Sequence, residues 1–268
     1  MKNKVTSLAI GGFDGIHLAH KALLEKLDKN GALMIINKYN SSLTPGKYRC
    51  KFTKFPCFFY ELESIKEFKK TQFASFLKKE FPKLKKIVVG YDFRFGKNRC
   101  CTSEDLKSFF EIEVIDEVIV DDISVHSGAI RKLLQNGKIK KANKLLGRAY
   151  SIKGDTVPGQ GLGAKELVPT INITIKDFLL PMSGVYATKT KINSTIYDSV
   201  TFIGNRQTTD NNFSIETHIL DTDIRHKAQE IEILFYQKIR NNKKFNSLKE
   251  LKEQIKNDIS IAKVSLYI

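Results

Sequence analysis

Between a short apolar run and a helical one, the chain reads Gly11-Gly12-Phe13-Asp14-Gly15-Ile16-His17-Leu18-Ala19-His20. Glycines let backbone amides come close to a phosphate, and a helix N-terminus adds partial positive charge at the same place. His17 and His20 are three residues apart, which puts both imidazoles on one face of the first helical turn. Two imidazoles so placed can donate hydrogen bonds to phosphoryl oxygens as charge grows on them. The turn is too short for the dinucleotide fingerprint GxGxxG, and no GK[ST] of a P-loop follows. Alone, the glycines describe any tight turn and a His-x-x-His pair is commonly just solvated. The strand before them and the helix after them make Gly11, Gly12, Phe13 and Asp14 a candidate phosphate-binding turn.

Four later segments carry further polar chemistry. Gly90-Tyr91-Asp92-Phe93-Arg94-Phe95-Gly96-Lys97-Asn98-Arg99 follows an apolar run and offers a carboxylate (Asp92), cations (Arg94, Arg99) and an aromatic face (Phe93). Ser127-Gly128-Ala129-Ile130-Arg131 opens a helix, with Ser127 as a hydroxyl cap and Arg131 near the same edge. Gly159-Gln160-Gly161-Leu162-Gly163-Ala164-Lys165 is glycine-rich and leads into Val168-Pro169-Thr170-Ile171-Asn172 at the start of a strand. In Ser214-Ile215-Glu216-Thr217-His218-Ile219-Leu220, alternation puts Glu216, His218 and Leu220 on the face opposite Ile215.

These groups need elements to hold them. Val5–Ile10 reads as a strand, and residues 16–29 read as a helix with Ile16, Leu23 and Leu27 on one face and Gly31 as its stop. Ala32–Asn37 and Lys86–Gly90 are further strands. Thr102 or Ser103 caps a helix carrying Leu106, Phe109 and Phe110, and residues 113–120 return as a strand. Such alternation predicts a parallel sheet covered on both faces, with ligands at the carboxyl ends of its strands. Residues 39–56, rich in Lys, Pro and Ser, fit that pattern least.

Helices at 128–136 and 139–146 end at Gly137 and Gly147. Beyond Tyr150 the segments around 170–175, 184–192, 195–203, 213–220 and 230–236 alternate or run apolar at short intervals, as in an antiparallel barrel or sandwich. A last helix carries Leu248, Leu251, Ile255 and Ile259 on one face, with Ser247 and Glu250 spaced as a capping box. The boundary falls near Gly147, giving domains 1–146 and 147–268.

Of 268 residues, 45 are basic and 29 acidic, for a net charge of +16, and 41% are hydrophobic. That composition excludes intrinsic disorder. Only eight of the basic residues are arginine. Lysine pairs such as Lys78-Lys79 read as solvated helix faces rather than a nucleic-acid stripe. The charge favours small anionic substrates, nucleotides among them. Cys50, Cys57, Cys100 and Cys101 form no CxxC pair and read as reduced structural thiols. No apolar run approaches the ~20 residues of a membrane span. A soluble, cytoplasmic protein with no nucleic-acid, membrane or obligate protein partner is expected.

Taken together, the motifs resemble those of bacterial bifunctional riboflavin kinase/FMN adenylyltransferases. The first segment is similar to the [T/H]xGH nucleotidyltransferase motif, the second to GxDFxFGxxRxG, and the Ser127 segment to SSTxIR. In the second half, residues 159–172 are similar to GxGxGxxxGxPTAN, residues 203–208 to NIGTRPT, and residues 214–221 to LExHLLD. The resemblance spans nearly the whole chain. It implies a Rossmann-like nucleotidyltransferase domain followed by a riboflavin kinase β-barrel with a C-terminal helix. Riboflavin and ATP would give FMN, and FMN and a second ATP would give FAD and pyrophosphate.

Carried over residue by residue, the resemblance gives adenylylation to His17 and His20, with Gly11, Gly12, Phe13, Asp14, Asp92, Phe93, Arg94, Arg99, Ser127 and Arg131 binding ATP or FMN. It implies Mg²⁺ and nucleotide phosphates held by Thr170 and Asn172, whose oxygens suit a hard cation. Gly159, Gly161, Lys165, Arg206 and Arg240 would bind the kinase substrates. Glu216 would be the base that takes the riboflavin 5′-hydroxyl proton. The sequence departs from the family at 37–56, at His126-Ser127-Gly128, and at Cys101, Leu167, Val168, Phe202 and Gln207. An enzyme with one live activity, or a basic nucleic-acid-binding module, are the alternatives the residues leave open.

Overall fold

The computed structural model describes residues 1–37, 42–158, 168–208, 211–222 and 229–267. The chain divides into two compact units, Met1–Ala129 and Ile130–Ile268. The first is built on five strands, β1 (Ser7–Gly11), β2 (Gly31–Asn37), β3 (Cys57–Glu61), β4 (Lys86–Gly90) and, after two short ribbon strands β5 (Arg94–Phe95) and β6 (Cys101–Thr102), β7 (Glu111–Ile115). They form one sheet in the order β3-β2-β1-β4-β7, and every pairing is parallel.

Successive residues of such strands face opposite sides, and both sides are covered. Leu8, Ile10, Met34, Ile87 and Val89 pack in one cluster with Phe73 and Leu77 of α3 (Lys70–Glu80). Ala9, Leu33, Ile35 and Val88 pack in the other with Leu23 and Leu24 of α1 (Leu18–Glu25). The chain leaves β1 for β2 on one side and reaches β4 on the other. The carboxyl ends of β1 and β4 therefore flank a switch point, the usual ligand crevice of an open α/β sheet.

Several elements differ from the sequence expectation, each for a local reason. The helix expected over 16–29 covers only Leu18–Glu25, because Phe13, Gly15 and Ile16 have φ of 49°, 91° and 40°, left-handed values that no helix continues. Thr102 does cap the next turn, and Asp105 completes a capping box. That turn is a 3₁₀ segment, Ser103–Leu106, rather than a helix reaching Phe110. The strand expected over 113–120 is β7, followed by a hairpin of β8 (Ile119–Val120) and β9 (Ile123–Ser124). Asp121 and Asp122, at φ 49° and 58°, make that turn. Strand β3, the helical turn α2 (Leu62–Ile65) and the assignment of α3 as a sheet-covering helix were not expected.

The second unit is a closed antiparallel barrel in the order β10-β11-β14-β13-β12-β15. Its strands are β10 (Tyr150–Val157), β11 (Ile171–Thr174), β12 (Gly184–Ile192), β13 (Thr195–Asn205), β14 (Phe213–Ile219) and β15 (Glu230–Arg240). Helix α4 (Ser127–Gln135) crosses the division between the units, and α5 (Ile139–Leu146) lies wholly in the second. Asn143 explains why α5 belongs there. Its side-chain amide donates to the Phe235 carbonyl at 2.8 Å and accepts from the Tyr150 backbone at 2.8 Å. The division thus falls before the boundary expected at 146/147. Helix α6 (Leu248–Tyr267) closes the chain, with Ser247 and Glu250 at its start as expected. Among the described residues no helix is long and apolar enough to cross a membrane.

Inside the barrel lies a network of hydroxyls. Thr188, Thr190, Ser199, Thr201 and Thr217 are all fully buried. Thr201 Oγ1 lies 2.8 Å from Thr188 Oγ1 and 3.0 Å from Thr217 Oγ1, and Ser199 Oγ is 2.8 Å from both Thr188 and Thr190. The network joins β12, β13 and β14 across one face. Thr201→Val keeps the shape but takes one hydrogen bond from each of Thr188 and Thr217, which keep Ser199 and Thr190 as partners, and two such bonds are worth about 1–3 kcal/mol. In urea unfolding of the full chain the midpoint should fall with the slope unchanged. An unchanged midpoint would show that the network does not hold these strands.

Candidate functional site

At the end of β1 the predicted turn forms as a rigid corner. Gly12 is exposed, whereas Phe13 is fully buried and its ring stands 4.9 Å from that of His20. His17 is the N-cap of α1, and its Nδ1 accepts from the His20 backbone N–H at 3.4 Å. The two imidazoles stack, with centroids 3.6 Å apart and planes at 18°. Because Nδ1 of the neutral ring is the acceptor, its proton sits on Nε2.

Asp14 has a different partner. Its carboxylate accepts from the backbone N–H groups of Leu43 and Thr44 at 3.2 and 3.0 Å, and the Gly15 N–H donates to Thr44 Oγ1 at 2.7 Å. Buried Arg49 then ties this segment down, donating to the Thr44 carbonyl, Asn37 Oδ1 and Ser42 Oγ at 2.8, 3.1 and 3.3 Å. Thr44 and Arg49 were missed in the sequence, since they lie in the stretch that fits no strand or helix period.

Gly90 ends β4, so the loop through Asp92 leaves the same sheet edge as the histidine turn. Phe93 stacks on Phe95 at 5.7 Å and packs against the core beneath. Asp92, Arg94 and Arg99 are exposed, and the Arg94 guanidinium donates to the Phe93 carbonyl at 3.0 Å. Ser127 is not the cap of α4. It is the first helical residue, and His126 supplies the cap by accepting from the Ala129 N–H at Nδ1, 3.1 Å away. Arg131 falls in the second unit.

In that unit a cavity of about 180 Å³ opens between the outer face of the barrel and α6. Its lining includes Phe202, Arg206, Glu216 and Arg240 with Phe245 and Ile255. Strand pairing sets Asn172 opposite Glu216 and Glu216 opposite Phe202, so the three share one row across β11, β14 and β13. Thr170 Oγ1 is 3.4 Å from one carboxylate oxygen of Glu216, and the Arg206 guanidinium is 3.4 Å from the other. His218, on the same face, meets the Pro169 carbonyl at 2.7 Å. The sequence-predicted Thr170, Asn172, Arg206 and Glu216 thus converge. Their hydroxyl, amide and carboxylate oxygens are the hard donors a Mg²⁺ ion takes. Gly159, Gly161 and Lys165 lie outside the described residues.

Arg240 stands at the other side of the cavity, held by a carboxylate the sequence did not single out. Asp258 is buried, and its two oxygens take Arg240 Nε and Nη2 at 2.8–3.0 Å. Gln254 donates to the same carboxylate at 2.9 Å. The guanidinium carbon lies 5.6 Å above the Phe245 ring. On α6 the only hint of this role is an acid in the middle of the apolar stripe formed by Leu251, Ile255 and Ile259.

A family model for riboflavin kinase matches residues 146–266. The bifunctional riboflavin kinase/FMN adenylyltransferase of Buchnera aphidicola subsp. Acyrthosiphon pisum is 32% identical over 97% of this chain and 93% of its own length. That of Bacillus subtilis is 30% identical over 94% of this chain and 89% of its own, and that of Escherichia coli K12 is 28% identical over 94% and 90%. A crystal structure of a protein described as a macrolide-efflux protein from Streptococcus pneumoniae has a TM-score of 0.87 at 24% identity, covering 98% of this chain and 97% of that one, a likeness of fold. The chain belongs to the bifunctional riboflavin kinase/FMN adenylyltransferase family.

Proposed function

We propose that the barrel unit phosphorylates riboflavin with ATP to give FMN, and that the sheet unit joins FMN to the AMP of a second ATP, releasing pyrophosphate and FAD. The observation that carries this reading is the convergence of Thr170, Asn172, Arg206 and Glu216 at the rim of an aromatic-lined cavity, inside the region that the riboflavin kinase family model matches. Phe202 and Phe245 offer apolar faces to an isoalloxazine ring, and Arg240 offers hydrogen bonds at its polar edge. Glu216 accepts the proton of the ribityl 5′-hydroxyl as that oxygen attacks the γ-phosphorus. Arg206 and Thr170 fix the carboxylate from both sides so that it points at the attacking oxygen. Thr170 and Asn172 would hold Mg²⁺, which when bound would neutralise charge on the transferred phosphoryl oxygens.

In the sheet unit, the work falls to the histidine turn. His17 Nε2–H and His20 donate to the α-phosphate as charge develops there, and the N-terminus of α1 adds its dipole. Asp14, through Leu43 and Thr44, holds the turn rather than the nucleotide. Arg94, Arg99 and Ser127 are assigned to substrate binding in this unit. The substrates are small molecules, and the four free thiols support a reducing, cytoplasmic setting.

Three outcomes test these roles. Glu216→Gln keeps size and a hydrogen-bonding carbonyl but cannot take a proton, so riboflavin phosphorylation should fall ~10²–10⁴-fold while FAD formation from supplied FMN is unchanged. Chromatographic separation of FMN and FAD reads both, and parental kinase turnover would remove Glu216 from the role of base. The double change His17→Ala, His20→Ala should suppress FAD formation by about 10²-fold or more and spare the kinase. Equal loss of both activities in a folded variant would contradict the division. Asp258→Asn leaves the Arg240 guanidinium without its counter-charge, which costs about 3 kcal/mol. Urea unfolding should register that loss, together with a raised KM for riboflavin.

A further inference from the structure

The adenylyltransferase loop ends in two adjacent cysteines whose thiols share one side of the chain. Consecutive residues of an extended chain point to opposite faces. Here Cys100 is helical, at φ −70° and ψ −20°, directly before β6 begins at Cys101. That change of conformation brings the sulfurs to 3.4 Å of each other. Both lie over Gly96, where a Cβ would stand 3.3 Å from Cys101 Sγ and 3.5 Å from Cys100 Sγ. Cys100 is exposed and Cys101 is buried.

We infer that Cys100 and Cys101 form a dithiol site for trivalent arsenicals and that its occupation shuts down FMN adenylylation; the second half rests on the assignment of that activity to the sheet unit. Two metal–sulfur bonds of about 2.3 Å spanning this separation enclose an angle of about 95°, whereas a tetrahedral zinc site needs sulfurs about 3.8 Å apart. The near-right angle is that of a pyramidal three-coordinate centre. No group of three or more His, Cys, Asp or Glu gathers among the described residues, so the site has no further protein ligands to offer a four-coordinate ion. An arsenical brings its own third substituent.

A disulfide is the poorer outcome at this place. Consecutive Cα atoms stand about 3.8 Å apart, below the ~4.4–6.8 Å usual for bridged cysteines. With phenylarsine oxide the reaction balances without an oxidant. Two S–H bonds break and two As–S bonds form, the arsenic oxygen leaves as water with both protons, and arsenic stays trivalent. Exposed Cys100 attacks first, and Cys101, whose thiol burial pushes up, closes the ring as an intramolecular step. Cys50 and Cys57 are both half-buried, so that pair lacks the exposed thiol that attacks first.

The consequence follows from the ribbon. Cys101 pairs with Phe95 and Thr102 with Arg94 across β5 and β6, and Arg99 immediately precedes the pair. A ring closed on the two sulfurs places a bulky group beside Arg99 and stiffens the segment that carries both arginines.

Reduced full-length protein titrated with phenylarsine oxide, with intact mass and separate FMN and FAD assays, decides the matter. One equivalent should bind, FAD formation from FMN should fall at least tenfold, and FMN formation from riboflavin should persist. Dithiothreitol should restore activity where an equal concentration of a monothiol does not. Cys50→Ser with Cys57→Ser should change none of this, whereas Cys100→Ser with Cys101→Ser should abolish the adduct and keep basal FAD formation. No adduct in the parent, or an adduct that survives the Cys100/Cys101 change, overturns the site. An adduct on this pair with full FAD formation overturns its coupling to adenylylation. Failure of the underlying assignment shows separately, as unchanged FAD formation in an Arg94→Ala, Arg99→Ala variant without any arsenical.

Discussion

The register of three barrel strands is the constraint on which the proposed kinase site depends. Asn172, Glu216 and Phe202 occupy one row across β11, β14 and β13 because those strands pair at that offset and no other. A slip of one residue would turn Glu216 into the barrel and bring Thr217 out to the cavity. The hydroxyls of Thr188, Ser199, Thr201 and Thr217 oppose such a slip from the inner face, since each loses a buried partner if its strand moves. Barrel closure between β10 and β15 removes free sheet edges, so the row is held from both ends. The outer face is thereby left free to serve chemistry, with α6 laid across it and the Asp258–Arg240 pair as a polar contact between α6 and β15 at the cavity.

The sheet unit reaches its site by a different route. A parallel sheet buried on both faces has its ligand positions at strand ends, and the switch between β1 and β4 supplies one. The histidine turn gets its shape from left-handed Phe13, Gly15 and Ile16, and that shape is held by Asp14 reaching across to residues 43 and 44. Arg49 closes the arrangement from beneath. The backbone N–H groups of the turn and the stacked imidazoles are thus set before any substrate arrives, which is what electrostatic stabilisation of a developing charge requires.

Much of this was legible in the sequence where a short pattern carries both structure and chemistry. The glycine turn with its two histidines and the strand at Gly184–Ile192 stand where period and turn residues put them, whereas Thr170 and Asn172 beside Glu216 came from the family resemblance. What the sequence did not display depends on contacts between distant residues. Strand β3 is half-buried along its length and aromatic on both faces, so it shows no alternation. Arg49 reads as one more surface cation until Thr44, Asn37 and Ser42 are seen around it. Asp258 gains its meaning from Arg240 on another element. His126 took a cap position that the pattern gave to Ser127, because an imidazole acceptor does the work of a hydroxyl there.

The central claim is that barrel register delivers the Glu216 carboxylate to the flavin's reacting hydroxyl. The most direct test is a crystal structure of the full chain with riboflavin, ADP and Mg²⁺. The account predicts the isoalloxazine ring in the cavity lined by Phe202 and Phe245, with the ribityl 5′-oxygen about 2.6–3.2 Å from a Glu216 oxygen. A flavin seated elsewhere, or a 5′-hydroxyl turned away from Glu216 with Thr170 and Asn172 apart from the phosphates, would contradict it.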